Sequence, residues 1–253
     1  MIPLFKSHYS LGRSILTLEK SDSLLENGPD SIIDIAEKNE LKEVFLVEDS
    51  MSGFLQAYKN LSELDVKLIF GLRINICADM KERSEEQLKK TSKYIIFCKN
   101  TEGYRRLIKI STSAAREGFY YQPRIDFKTL KDYWDDELLS LVVPFYDSFL
   151  FNNTLMSAVC VPEFTFTKPT FLLEDNGVPF DGLMREVVEK YVKLNKFKTQ
   201  EAKSVFYSEE KDFKAYLTFR CINNRSTLDK PNLEHMTSNK FSFQAWKERY
   251  GSI

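Results

Sequence analysis

The feature that most restricts the fold of this 253-residue chain is a repeated alternation of short apolar runs with segments of helical period. Leu41 to Val47 (LKEVFLV) ends in Glu48 and Asp49. From Gly53 to Leu61 the residues Phe54, Ala57, Tyr58 and Leu61 then recur with the spacing of an amphipathic helix. The same order returns at Lys67 to Gly71 before a polar segment around Glu85 to Lys90, and at Tyr94 to Cys98 (YIIFC) before Glu102 to Ala115. Leu138 to Val143, Thr170 to Leu173 with Leu183 to Leu194, and Ser204 to Tyr207 with Lys211 to Ile222 continue the series. Strands alternating with helices predict a parallel sheet, since parallel neighbours are joined only through long crossovers. Six to seven such units predict an α/β fold closed into a barrel, with an open doubly wound sheet as the alternative.

No Gly/Ser linker or charge block divides the chain, so one domain over residues 1–253 is expected, folding as a monomer in isolation. Hydrophobic residues at 43%, with nine Gly and eight Pro, place it among ordered globular proteins. A net charge of -1 gives no overall pull toward nucleic acid, so any DNA contact would be local. Cys77, Cys98, Cys160 and Cys221 form no C-x-x-C pair, which argues against a zinc ribbon or disulfide scaffold and for a reduced, cytoplasmic setting. No apolar run suits a signal peptide or a membrane span. Neither a G-x-S-x-G elbow nor a phosphate-binding G-x-x-x-x-G-K-[ST] loop occurs. His8 and His235 read as hydrogen-bonded surface residues, and Phe119, Tyr120 and Tyr121 as core rather than base-stacking aromatics.

Lys99 to Asp126, KNTEGYRRLIKISTSAAREGFYYQPRID, resembles a stretch of the PHP (polymerase and histidinol phosphatase) domain that opens bacterial DNA polymerase III alpha subunits. SHYSL (Ser7 to Leu11), VKLIFG (Val66 to Gly71) and STLDKPN (Ser226 to Asn232) extend the resemblance in the same order over nearly the whole chain. The resemblance implies a distorted TIM-like barrel of seven strand and helix units, of the PHP type. It also implies a site at the C-terminal strand ends where His, Asp and Glu would hold three metal ions for phosphoester chemistry.

Against that pattern the ligand positions depart. The family's opening H-x-H corresponds to Leu4 and Lys6, and an Asp after SxYS to Arg13. An Asp-His pair becomes Asp49 and Ser50, a Glu becomes Arg73, and a strand-opening His falls near Lys93. Later, Gln-Asp-His becomes Glu174, Asp175 and Asn176, while Asn-Asp-x-His becomes Lys203, Ser204, Val205 and Phe206. Only Asp49 and Asp175 remain as ligand types among these, so neither metal nor another cofactor is expected. The cations Lys6, Arg13, Arg73 and Lys93 would close the mouth by salt bridges to Asp49, Glu174 and Asp175, or form an anion pocket.

The expected function is that of a catalytically degenerate PHP domain acting as a structural or interaction subunit of a DNA polymerase III-like assembly. A polymerase or proofreading exonuclease subunit is the expected partner. The alternatives are a phosphoesterase or 3'-5' exonuclease with a reduced metal site, using Asp49, Asp175 and His8, and a decoy, phage-encoded, that binds host replisome proteins.

Overall fold

A computed structural model describes residues 1–21, 28–229 and 238–251. His235 and the end of the STLDKPN segment lie outside the described residues. Eight strands are present among them: β1 (Ile2–Phe5), β2 (Glu43–Glu48), β3 (Lys67–Cys77), β4 (Ser92–Cys98), β5 (Arg124–Asp126), β6 (Leu139–Val143), β7 (Thr170–Leu173) and β8 (Lys198–Val205). Seven close into a ring in the order β1-β8-β7-β6-β4-β3-β2, and β5 adds to the outer half of β3 as an extra strand. The ring closes where β1 pairs on one side with β2 (Leu4 to Phe45) and on the other with β8 (Leu4 to Ser204).

One expectation is corrected. The sheet is not uniformly parallel: β4 runs antiparallel to both neighbours, β3 and β6. The cause is the length of β3, which continues six residues past Gly71 to Cys77 before the chain turns back through the short helix α3 (Glu85–Lys89). A parallel return would need a full crossover. As a result the N-terminal end of β4, with Lys93, lies at the end of the barrel where the parallel strands have their C-termini.

The amphipathic segments form α2 (Phe54–Ser62), α4 (Thr101–Arg116), α7 (Asp181–Asn195) and α8 (Phe213–Asn224), packed around the ring. Four further helices begin at side-chain caps: α1 (Ile32–Lys38) at Ser31, α5 (Phe127–Tyr133) at Asp126, α6 (Phe149–Leu155) at Ser148 and α9 (Phe243–Tyr250) at Ser242. Inside the barrel and beneath the helices, Phe5, Leu46, Phe70, Ile96, Leu141, Phe171 and Val205 are buried.

Within the resemblance segment, Asn100 caps α4 by accepting the Gly103 N–H at 2.9 Å. Gly103 lets the helix approach the Leu138 carbonyl, and Gly118 lets the following turn approach that of Arg124. A Cβ on Gly118 would fall 1.9 Å from the Arg124 oxygen, a backbone atom that cannot swing aside. Gly118→Ala should therefore destabilise by about 1–3 kcal/mol, the range for overpacking a fixed site. Urea titration measures it; an unchanged midpoint would count against this packing. Arg124 itself is fully buried and donates to the carbonyls of Gly118 and Glu82 at 3.1 Å. Phe119 and Tyr121, expected in the core, are instead 50% and 77% exposed, because the turn that buries Arg124 faces them outward.

Candidate functional site

The C-terminal ends of β1, β2, β7 and β8, with the middle of β3, surround one mouth of the barrel. A cavity of about 50 Å³ opens there, lined in part by Leu4, Lys6, Arg13, Arg73, Asp147, Glu174, Ser204, Phe206 and Arg220. Strand alternation places them. In β3, Leu72 and Ile74 flank Arg73 and turn to the opposite face, so Arg73 reaches the barrel interior at 7% exposure.

Arg73 joins two carboxylates. Its Nη1 lies 3.4 Å from Asp49 Oδ1, and its Nη2 bonds to Asp147 Oδ2. Lys6, just past β1, places Nζ 3.5 Å from the same Asp49 oxygen, and Arg13 reaches Asp147 at 3.6 Å. Burial acts to raise the Asp49 carboxyl, but Lys6, Arg73, Lys93 and Arg13 together outweigh it and hold it below the usual carboxylate range. Asp147 has the same balance, with Arg73 the foremost cation.

Beside this pair of carboxylates lies Glu48, fully buried at the end of β2. It accepts the Ser7 N–H at 2.8 Å and the Ser10 hydroxyl, and Ser10 Oγ in turn accepts the Asp49 N–H at 2.9 Å. Burial pushes the Glu48 carboxyl upward, against Lys6 and the serines. The SHYSL segment is thus a bracket that fixes the end of β2.

Across the mouth, Glu174 accepts the Ser204 N–H at 2.7 Å, the Ser204 hydroxyl at 3.1 Å and the Asn176 amide at 2.8 Å. Burial raises its carboxyl as well. Lys203 turns to the other side of β8 and donates to Asn176 Oδ1 at 2.8 Å. Phe206 stacks between Phe241 and Tyr216, with ring centroids 5.1 and 5.7 Å away.

The structure does not bring all the sequence-derived positions together. Asp175 points out of the mouth and accepts from Arg249 at 2.9 Å, so it is not part of the Asp49 cluster. Ser50 only accepts the Ser52 N–H within its own turn. His8 stacks on Tyr9 at 4.4 Å, and its buried Nδ1 has no hydrogen-bond partner among the described residues. Sequence reading missed Glu48, although it directly precedes Asp49, and Asp147, whose left-handed φ of 61° turns it back to the mouth. Among the described residues no three His, Cys, Asp or Glu side chains are grouped to hold a metal ion.

Three lysines, Lys6 and Lys203 buried and Lys93 half-buried, give the site a pH signature. Burial first, and neighbouring cations second, lower Lys6 and Lys93 to about 8, and burial lowers Lys203 to about 8. Between that value and the ordinary 10.5, the unfolded chain binds protons that the folded chain has released, so these groups make stability rise with pH. The thiols of Cys77, Cys98 and Cys160, raised by burial, act in the opposite sense but only from about 9 upward. Melting temperature should therefore climb by roughly 10 °C from pH 7.5 to pH 9, and Lys203→Met should flatten the climb. A falling profile in wild type would contradict these burials.

The PHP domain family matches residues 26–151. The chain is 24% identical over 247 residues, 90% of its length, to DNA polymerase III subunit alpha of Borreliella burgdorferi, of which it spans 21%. It is 29% identical over 200 residues, 71% of the chain and 16% of the relative, to the same subunit of Aquifex aeolicus. Over 84 residues, 33% of the chain, it is 36% identical to that of Helicobacter pylori. The chain spans about a fifth or less of the length of these relatives. No helix among the described residues is long and apolar enough to cross a membrane.

Proposed function

We propose that this chain, which carries a PHP domain over residues 26–151, works as a metal-free PHP domain, a structural or interaction component of a DNA polymerase III-like replication assembly. The observation that carries this reading is the position of Lys6 and Arg73 on Asp49, with Arg73 also on Asp147. Divalent ions need carboxylates and neutral imidazoles with open lone pairs. Here the carboxylates are already neutralised by fixed cations, and an ammonium and a guanidinium offer no lone pair. The donor set at the mouth does not fit a metal cluster, and no hydrolytic step is assigned to it.

The similarity to DNA polymerase III subunit alpha supports a replication context. A polymerase chain or a proofreading exonuclease is the partner this reading names. Three measurements test it. Elemental analysis of the purified protein should give no stoichiometric zinc, manganese or iron, and p-nitrophenyl phosphate should not be hydrolysed with any of them added. Purified polymerase III alpha or its exonuclease should be retained on the immobilised chain. A tightly held metal that is lost in Asp49→Asn, or metal-dependent hydrolysis, would overturn the metal-free reading.

A further inference from the structure

The mouth cavity combines apolar and cationic lining. Leu4, Phe5, Val47, Ile95 and Leu172 line it with hydrocarbon, and Lys6 and Arg73 line it with positive charge. Lys6 is 5% exposed, and among the described residues its Nζ donates no hydrogen bond; Asp49 Oδ1, 3.5 Å away, is likewise without a hydrogen-bond partner among them. An ammonium has three protons to give, and leaving them unmatched away from water is costly. The cavity's 50 Å³ is room for about four waters.

Charge narrows what fills it. Lys6, Arg13, Arg73, Lys93 and Arg220 set five positive charges against the carboxylates of Glu48, Asp49, Asp147 and Glu174. Glu174, also on the wall, is turned to the donors of Ser204 and Asn176. The surplus of one among these nine groups matches a monoanion, and the apolar lining matches an apolar stem. A phosphate dianion would exceed that surplus and bring a strongly hydrated group against hydrocarbon.

Resting on the metal-free reading above, we propose that this cavity receives a carboxylate on a short apolar stem, presented by a protein partner. One carboxylate oxygen would accept from Lys6 Nζ and the other from Arg73, giving charge-assisted hydrogen bonds at the point where the ammonium has none. The site is then a lock for an acidic residue inserted at the barrel mouth.

Butyrate is the probe. Titrated into the whole protein at constant ionic strength and followed by side-chain NMR, it should saturate shifts at the mouth and bind more tightly than acetate. Lys6→Met keeps the stem and removes the charge. It should weaken butyrate about tenfold, the worth of one charge-assisted hydrogen bond. Should that variant not fold, Arg73→Lys, which keeps the charge but loses the fork, should still weaken binding. Equal butyrate binding by a folded Lys6→Met, or tighter binding of inorganic phosphate under the same conditions, overturns the proposal. Absence of butyrate binding with or without added manganese overturns it and leaves the metal-free reading standing. Binding of either anion only with manganese, abolished by a chelator, overturns the metal-free reading instead.

Discussion

Glu48→Ala should lower the unfolding free energy by about 4 kcal/mol, the largest effect expected of any single change at the mouth. The side chain is fully buried and accepts from the Ser7 N–H and the Ser10 hydroxyl, while Ser10 Oγ holds the Asp49 N–H. Alanine removes both acceptors at once. It leaves two buried donors without partners, each costing ~1–3 kcal/mol, and frees the loop that carries Lys6 to drift from Asp49. Glu48→Gln separates hydrogen bonding from charge, since one oxygen still accepts. It should recover more than half of the loss in a urea melt. If glutamine and alanine variants unfold at the same midpoint, the negative charge beside Lys6 matters rather than the bracket, and this account of the SHYSL segment is wrong.

Arg73→Ala should come second, at roughly 3 kcal/mol. That is the lower end of the range for breaking a buried ion pair, because Asp49 and Asp147 both retain some access to water. The guanidinium is the one group that touches both carboxylates, so its loss leaves them facing each other with Lys6 and Arg13 at their outer sides. Arg73→Lys should restore only part of the stability, since a single ammonium cannot span the two acids. Thermal melts at low and high salt check the assignment: a buried cluster is screened weakly, so the loss should persist at 1 M NaCl. A loss that vanishes in salt would mean that the pairs are solvent-exposed.

Much of this molecule was legible in the chain. The runs Val44–Val47, Tyr94–Cys98 and Phe171–Leu173 lie in strands because their apolar residues are continuous and face packed layers on both sides. β1 escaped notice because it is four residues long and contains Pro3, and most of β8 because KTQEAK is polar. The short helices α1, α5 and α6 carry less than two full turns of periodicity and escaped notice, although Ser31, Asp126 and Ser148 cap them. The reversal of β4 has no local signature at all: it depends on where β3 ends. In the site, Lys6, Arg13 and Arg73 line one cavity. Resemblance could not tell that Asp175 faces Arg249, since one step along a strand end exchanges interior for exterior. Asp147 lies in a loop, where position depends on a single left-handed residue rather than on any periodic pattern.

The placement of β1 between β2 and β8 has a consequence for how the protein is made. Its partner Leu4–Phe45 exists once the first fifth of the chain has left the ribosome, but Ile2 to Phe5 must wait for Ala202 to Val205 before the second edge is covered. At ~5–20 residues per second of synthesis, that interval is on the order of 8–32 s. During it the nascent sheet is an open ribbon with Phe5 uncovered on one edge, a template for pairing with another strand. Closure then joins segments about two hundred positions apart, and the entropy of that loop is lost in a single late step. The ring is therefore a device whose assembly is governed by translation: a pause or premature stop ahead of β8 yields a sticky ribbon, while completion of β8 converts it at once into a surface with no free edge in the ring.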